Sequence, residues 1–161
     1  MKKIGIVGVG LMGRSLAMHL LNAGYTVFVH DLVDANVDAA VKLGAKRVSA
    51  PADMTTQTDV IMLSLPNSNI VNDVVQNALR LFECKRKDLV LIDTSTPDPE
   101  TSIGLARRLR EHGIEMLDAT ISGTSEMFVE KDVIFMVGGT ESVYNDHTDI
   151  FSTLAKDSYF L

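Results

Sequence analysis

Short apolar runs rich in β-branched residues alternate along the chain with longer segments whose apolar residues recur at helical spacing. Strands of the first kind, separated by helices of the second, are typical of parallel βαβ units. The predicted strands are Lys3–Val7, Thr26–His30, a weak strand near Arg47 and Val48, Val60–Leu65 and Leu89–Asp93. The predicted helices are Leu11–Asn22, Ala35–Leu43, Asn69–Leu81 and Pro99–His112. Further strands are predicted at Ile114–Asp118, Val133–Val137 and Ser158–Leu161.

This alternation predicts an α/β fold in which a doubly wound, mostly parallel sheet carries helices on both faces. The chain contains no internal repeat, no low-complexity tract and no linker-like segment. Its 161 residues suffice for one domain of ordinary size, and 46% hydrophobic with 22% charged residues fit a globular core. We therefore expect residues 1–161 to form a single domain.

The charge balance narrows the range of expected partners. A net charge of −6 and a pI near 5.1 oppose binding to nucleic acid or to an anionic membrane, because both would repel the chain. The single Cys84 cannot form an internal disulfide. The first residues lack the pattern of a secretory signal. No apolar run approaches the roughly 18 residues that span a bilayer. We expect a cytoplasmic protein whose partners are small molecules or proteins. Its scattered histidines predict no metal site.

A glycine-rich turn follows the first predicted strand and opens the first predicted helix. Its sequence is Gly8-Val9-Gly10-Leu11-Met12-Gly13. In this context Gly8 makes the tight turn, Gly10 lets the backbone approach a pyrophosphate, and Gly13 lets the helix pack against the strand. The free N–H groups of the helix N-terminus would then receive the phosphates. The six residues predict the dinucleotide-binding turn of a Rossmann fold, against the alternative of a glycine-rich turn without a ligand.

An acidic residue, Asp31, stands at the end of the second predicted strand, about 20 residues beyond the glycines as a dinucleotide-binding unit requires. A carboxylate here accepts hydrogen bonds from the adenosine ribose and repels the additional phosphate of NADP. No arginine follows it, since the next residues are Leu32, Val33 and Asp34. We therefore expect NAD rather than NADP, with Asp31 and Leu32 among the cofactor-binding residues. Two alternatives stay open: Asp31 as a solvated turn residue, and Arg14 as the partner of a phosphate.

Two loops that follow later strands carry polar side chains. They are Leu65-Pro66-Asn67-Ser68 and Asp93-Thr94-Ser95-Thr96-Pro97. Because ligands of doubly wound sheets bind beyond the carboxyl ends of the strands, both loops are candidates for cofactor or substrate contacts. The same residue types are equally common in helix caps and turns, so the local chemistry alone does not decide.

Five motifs in order resemble the β-hydroxyacid dehydrogenase family, of the 3-hydroxyisobutyrate dehydrogenase and tartronate semialdehyde reductase type, over the whole chain. The motifs are Gly5-Ile6-Val7-Gly8-Val9-Gly10-Leu11-Met12-Gly13, Leu65-Pro66-Asn67-Ser68, Ile92-Asp93-Thr94-Ser95-Thr96, Asp118-Ala119-Thr120-Ile121-Ser122-Gly123 and Phe135-Met136-Val137-Gly138-Gly139. The resemblance implies that Leu65, Pro66 and Thr96 contact the cofactor, with Thr96 by the nicotinamide. It also implies a substrate-binding loop at Ser122-Gly123-Thr124. Members of the family transfer hydride between a small 3-hydroxy acid and the cofactor.

The chain departs from the family pattern in two respects. The family's catalytic lysine belongs to a second, all-helical domain that also forms much of the dimer, and these 161 residues do not contain it. We therefore expect no catalytic residue here, a domain that binds cofactor without turnover, and an exposed apolar face near Phe151, Phe160 and Leu161. In the substrate loop, Thr124 replaces a glycine, which predicts an altered loop path because threonine tolerates positive φ poorly. Further on, Asp132 and Val133 replace the glycine and threonine that the family has before the Phe135-Met136-Val137-Gly138-Gly139 strand.

Two other functions are compatible with the same residues. One is an enzyme related to 6-phosphogluconate dehydrogenase. In that enzyme the corresponding strand usually ends in Met-Pro-Gly-Gly, whereas here it reads Met136-Val137-Gly138-Gly139. The other is a non-catalytic module that senses a dinucleotide, which the unusual Thr124 and Asp132 leave open.

Overall fold

An eight-stranded sheet spans the molecule in a computed structural model that describes residues 1–161, and its strand order is β3-β2-β1-β4-β5-β6-β7-β8. The strands are β1 (Lys3–Val7), β2 (Thr26–His30), β3 (Lys46–Arg47), β4 (Val60–Leu63), β5 (Val90–Asp93), β6 (Glu115–Ser122), β7 (Ile134–Gly138) and β8 (Asp157–Phe160). The helices are α1 (Leu11–Asn22), α2 (Asp34–Lys42), α3 (Met54–Gln57), α4 (Ser68–Asp73), α5 (Pro99–Glu111), α6 (Ser125–Val129), α7 (Glu141–Asn145) and α8 (Thr148–Leu154). No helix is both long and apolar enough to cross a membrane.

The predicted doubly wound sheet is confirmed. Strand β1 lies between β2 and β4 and is parallel to both, and β5 and β6 continue the parallel arrangement. Only β6 and β7 pair antiparallel. The strand order reverses beside β1, and this point in a doubly wound sheet forms a ligand-binding crevice at the carboxyl ends of the strands.

Two strand ends differ from the prediction by more than one residue. Strand β4 stops at Leu63 rather than at Leu65, because the Leu65 N–H leaves the ladder and donates to the Ser95 hydroxyl. Strand β6 continues four residues beyond Asp118, because it pairs with β7 from Asp118 opposite Gly138 to Ser122 opposite Ile134. The partner strand, and not the local sequence, sets this length.

The helix predicted at Asn69–Leu81 is interrupted in the structure. Helix α4 is followed by a π-helical turn over Val74–Ala78, and the segment ends at Arg80, whose φ is +55°. The sequence also did not predict α3, α6, α7 and α8, none of which exceeds seven residues. Helices this short carry too few turns for a periodic pattern and form because tertiary contacts hold them.

The two faces of the sheet carry separate apolar layers. One layer packs α1, α2, α6 and α8 against the sheet, and the other packs α3, α4 and α5 against the opposite face. A row of aromatic rings runs through the first layer, since Phe128 contacts Phe135 and Phe135 contacts Phe151 at centroid distances of 6.1 and 5.4 Å.

The expectation of an exposed apolar face near the last residues is wrong in part. Phe151 is fully buried, because it belongs to the aromatic row of this chain's own core. Phe160 is half-buried against the ring of Tyr144, with the centroids 5.6 Å apart. Only Leu161 is largely exposed, at 78%.

Candidate dinucleotide-binding site

The turn between β1 and α1 needs glycine at its first and last positions. Gly8 has a φ of +88°, and a Cβ there would overlap the carbonyl oxygen of Ser64. A Cβ on Gly13 would overlap the carbonyl oxygen of Gly8. The two glycines therefore allow the start of α1 to lie directly against the turn, as the sequence predicted.

Gly10 differs from Gly8 and Gly13, because no atom lies within 4 Å of the position that its Cβ would occupy. It is the N-cap residue of α1, and no side chain caps the helix there. The first N–H groups of α1 thus have no side-chain acceptor, and the space before them is open. This cradle fits a pyrophosphate, which the unpaired N–H groups and the positive end of the helix would both attract.

Asp31 joins this turn to the loop that follows β2. Its Oδ2 accepts the Val9 N–H and its Oδ1 accepts the Val33 N–H, both at 2.8 Å. The Val9 N–H is therefore engaged within the protein, and the Val9 side chain is fully buried in the core. Each carboxylate oxygen retains a further lone pair for a ribose hydroxyl. Leu32, which is 96% exposed, presents an apolar surface beside that carboxylate.

The basic groups nearest to this loop are engaged or uncharged. Arg47 of β3 is paired with Val29 of β2 in the sheet. Its side chain forms ion pairs with Asp34 at 3.0 Å and with Asp38 at 2.6 Å. Burial lowers the pKa of His30, which favours the neutral form of this side chain. Neither group offers a free positive charge to a phosphate.

The Arg14 side chain forms no hydrogen bond and no ion pair within the chain. Its side chain lines a surface groove between α1, α2 and α6, together with Ala39, Lys42 and Val129. This groove is separate from the cleft described next, although both include Leu11.

A cleft of about 540 Å³ opens on the side of β1 away from β2, between the glycine turn and the loops that follow β4, β5 and β6. It is lined by Gly10, Leu11, Met12, Ser64, Leu65, Pro66, Thr94, Ser95, Thr96, Ile121 and Gly123. The structure thus brings together seven of the predicted site residues from four separate segments. None of the eleven lining residues has an ionisable side chain.

Two of the four hydroxyl side chains in the cleft wall bond within the protein. The Thr94 hydroxyl donates to the carbonyl oxygen of Leu63 at 2.7 Å, and the Ser95 hydroxyl accepts the Leu65 N–H at 2.9 Å. Thr94 and Ser95 are both buried, whereas Thr96 is exposed. Of the three side chains, Thr96 is the one free to meet a ligand.

The loop after β6 combines one glycine conformation with a helix cap. Gly123 has a φ of +145° and lines the cleft. Thr124 is extended, with a φ of −91°, and its hydroxyl accepts the Met127 N–H at 3.3 Å as the N-cap of α6. The positive φ therefore falls on Gly123 alone, and threonine fits the next position without strain. Ser122 and Thr124 are exposed beside the cleft but do not line it.

Sequence reasoning missed Ser64 and Ile121 as lining residues. The predicted strand Val60–Leu65 included Ser64, whereas the observed β4 ends at Leu63. Ile121 lies in the part of β6 that only the pairing with β7 reveals. Lys131 and Asp132 lie elsewhere: Lys131 lines a separate depression beside His19, and Asp132 forms an ion pair with Lys156 at 3.1 Å.

Residues 3–161 match the sequence profile of a family described as the NAD binding domain of 6-phosphogluconate dehydrogenase. The chain belongs to this family. The glycine turn, Asp31 and the cleft are therefore the parts of an NAD-binding domain, and the resemblance of the five motifs to hydroxyacid dehydrogenases is confirmed by the relatives.

Two relatives of this NAD-binding domain are hydroxyacid dehydrogenases by name. It is 33% identical to 2-(hydroxymethyl)glutarate dehydrogenase of Eubacterium barkeri, over 98% of this chain and 52% of that protein. It is 31% identical to a probable mitochondrial 3-hydroxyisobutyrate dehydrogenase of Dictyostelium discoideum, over 97% of this chain and 49% of that protein. The chain thus spans about half the length of these relatives. Another relative, the human cytokine-like nuclear factor N-PAC, is 28% identical over 99% of this chain and 29% of its own length.

Solved structures share the fold. Mycobacterium tuberculosis 3-hydroxyisobutyrate dehydrogenase, solved with L-serine, superposes with a TM-score of 0.93 at 24% identity, over 99% of this chain and 54% of that one. An imine reductase of Myxococcus stipitatus superposes with a TM-score of 0.91 in complex with NADP+, and a variant of it gives 0.91 with NAD+, at 21% and 20% identity. Each match covers 99% of this chain and 54% of the reductase. The fold therefore accommodates either dinucleotide.

Proposed function

We propose that this NAD-binding domain takes NAD rather than NADP and serves an oxidoreductase that acts on a small 3-hydroxy acid. The observation that carries the proposal is the cradle at Gly10, an unfilled space before the uncapped N-terminus of α1. The residues that would hold the cofactor are the glycine turn, Asp31 and Leu32 at the adenosine end, and Leu65, Pro66 and Thr96 at the other end. NAD supplies an acceptor for the hydride that leaves the carbon bearing the hydroxyl group.

The preference for NAD rests on the charges around Asp31. A 2′-phosphate on the adenosine ribose would face this carboxylate, with Asp34 close by in the sequence. Arg47 could reach such a phosphate only by giving up its ion pairs with Asp34 and Asp38. The ribose hydroxyls of NAD meet no such penalty, because Asp31 retains accepting lone pairs for them.

The substrate end of the site is the part of the cleft that Thr96 and Gly123 line. Ser122 and Thr124 are exposed at the border of the cleft. Oxidation of an alcohol requires a group that takes the hydroxyl proton. Because no lining residue is ionisable, we propose that a lysine from a further, all-helical domain supplies this group. The 161 residues alone then bind the cofactor and do not turn over.

Three further properties belong to the same proposal. The complete enzyme is a homo-oligomer through its helical domain, it is cytoplasmic, and its substrate carries no phosphate. Cell fractionation, measurement of its mass in solution, and a panel of 3-hydroxy acids with and without phosphate test these points. Preference for a phosphorylated substrate would favour an enzyme like 6-phosphogluconate dehydrogenase instead.

Calorimetric titration of the chain with NAD and NADP tests the cofactor assignment, and titration with 5′-AMP and 2′,5′-ADP isolates the effect of the 2′-phosphate. We expect NAD to bind at least about tenfold more tightly than NADP, equivalent to about 1.4 kcal/mol. The two adenosine fragments should show the same order. Equal affinities, or tighter binding of NADP, would overturn the role given to Asp31.

A second candidate is a dinucleotide-responsive module without catalytic activity. It is favoured by the match over 160 residues to nuclear factors, whose name describes no enzyme, and by the absence of an ionisable group from the cleft. Assaying the complete gene product separates the two candidates. Turnover of a 3-hydroxy acid with NAD supports the enzyme, whereas tight NAD binding with no turnover across the substrate panel supports the module.

A further inference from the structure

The sheet order determines which half of a dinucleotide meets which loop. The pyrophosphate cradle lies at the end of β1, and the adenosine ribose would lie at Asp31, at the end of β2. Strands β4 and β5 follow β1 on the other side. A dinucleotide that extends across this edge therefore places its nicotinamide in the cleft bordered by Leu65 and Thr96.

A short chain of hydrogen bonds sets the position of Leu65. Asp93, the last residue of β5, accepts the Ser95 N–H on Oδ1 at 2.9 Å. The Ser95 hydroxyl accepts the Leu65 N–H at 2.9 Å. Asp93 is fully buried and Ser95 is 4% exposed, so water does not compete for either bond. The loop after β4 is thus tied to the loop after β5 through the side chains of Asp93 and Ser95.

The second carboxyl oxygen of Asp93 takes no part in this chain of hydrogen bonds. Oδ2 is buried and has no hydrogen-bond partner. Asp118 stands in register with Asp93 on the neighbouring parallel strand. Burial raises the pKa of the Asp93 carboxyl, the Ser95 hydroxyl and N–H partly offset this, and the charge of Asp118 raises it further. Burial therefore disfavours the charged form of Asp93, and an amide oxygen could accept the Ser95 N–H in its place.

We propose that Asp93 and Ser95 are positioning residues that hold Leu65 against the nicotinamide. The inference rests on the proposed function, since it presumes that a dinucleotide occupies the cleft. Neither side chain needs to touch the ligand for this role. They fix the width of the cleft between the β4 and β5 loops, and removing them weakens binding of the nicotinamide half while the adenosine half is unaffected.

The test compares two ligands, NADH and ADP-ribose, by calorimetric titration of the 161-residue chain. ADP-ribose retains the adenosine and the pyrophosphate but lacks the nicotinamide. The ratio of its Kd to that of NADH therefore measures what the nicotinamide contributes. We expect Ser95→Ala to lower this ratio about fivefold, the effect of one ordinary hydrogen bond, with the Kd of ADP-ribose unchanged.

Two further variants make the test specific. Asp93→Asn keeps an oxygen that accepts the Ser95 N–H and should preserve the wild-type ratio, whereas Asp93→Ala should lower it as Ser95→Ala does. Thr58→Val is the matched control, because it removes another buried hydroxyl bond, from Thr58 to the Met54 carbonyl oxygen at 2.7 Å, on a residue that does not line the cleft. It should leave the ratio unchanged.

Several results would overturn the inference. They are an unchanged ratio in Ser95→Ala, an equal fall in Thr58→Val, and a wild-type ratio near one. If Asp93→Ala does not fold, Ser95→Ala and Asp93→Asn still decide the question. Failure of the wild-type chain to bind ADP-ribose refutes the proposed function itself, whereas binding of both ligands with unaltered ratios refutes only the positioning role.

Discussion

Replacing Gly10 by alanine should separate ligand binding from folding in the glycine turn. The backbone of Gly10 has a φ of −65°, which residues with a Cβ adopt, and no atom lies within 4 Å of the added methyl group. The folded state therefore accepts the methyl group without strain. Because alanine restricts the unfolded chain, the free energy of unfolding should stay constant or rise by about 0.4–1 kcal/mol.

The same methyl group should weaken the cofactor complex. It projects into the space that the pyrophosphate would occupy, so the phosphate must retreat from the N–H groups of α1. Loss of one hydrogen bond to a charged group costs about 1.5–3 kcal/mol. The Kd for NAD should then rise by about 10- to 150-fold.

Calorimetric titration with NAD and urea unfolding of the same samples measure the two effects. Gly13→Ala is the contrasting variant, because its Cβ would overlap the Gly8 carbonyl oxygen, and it should lower the free energy of unfolding by about 1–3 kcal/mol or more. Gly104→Ala is the matched control. It adds a methyl group in open space on α5, should raise stability by up to about 1 kcal/mol, and should leave the Kd unchanged.

Wild-type affinity in Gly10→Ala would refute the assignment of the open space to a pyrophosphate. If Gly10→Ala were destabilised as much as Gly13→Ala, the claim that the folded turn accepts a methyl group at Gly10 would be refuted. Gly10 would then serve the fold and not a ligand.

Three other predictions concern stability, and urea unfolding checks each of them. Because the folded-state pKa of Asp93 is raised, the wild-type chain loses stability as pH rises from the unfolded-state pKa through the folded-state pKa. Because an amide does not ionise, the free energy of unfolding of Asp93→Asn relative to wild type should be larger at pH 7 than at pH 4; the same difference at both values would contradict this. Phe135→Ala should cost about 3–5 kcal/mol, because Phe135 contacts both Phe128 and Phe151, and a loss below about 1 kcal/mol would disprove that packing. Thr124→Ala should cost about 0.5–2 kcal/mol and Thr124→Ser much less, because serine also caps α6; equal losses would argue against the cap.

The sequence by itself determined the first βαβ unit. The observed bounds of β1, α1 and β2 are those that the sequence predicted, and the strand, the glycine turn and the helix are adjacent in the chain. The hydrogen bonds of the helix and the apolar spacing of all three elements lie within short segments of the chain, so a local pattern suffices to place their bounds. The positive φ of Gly8 and the close approach of Gly13 to the Gly8 carbonyl oxygen arise within the same short segment and were foreseen for the same reason, whereas the close approach of Gly8 to the Ser64 carbonyl oxygen comes from the loop after β4.

Tertiary structure decided what depends on residues distant in the chain. The length of β6 and the cleft positions of Ser64 and Ile121 depend on the pairing of β6 with β7 or on the point where β4 leaves the sheet, and the burial of Phe151 depends on its packing against Phe135. Asp31 was predicted as a ligand contact, but only the folded chain shows that its two oxygens also tie the glycine turn to the next loop. The link from Asp93 through Ser95 to Leu65 spans two strands. No sequence period encodes such contacts, because they form only when the sheet brings the carboxyl ends of its strands to one edge.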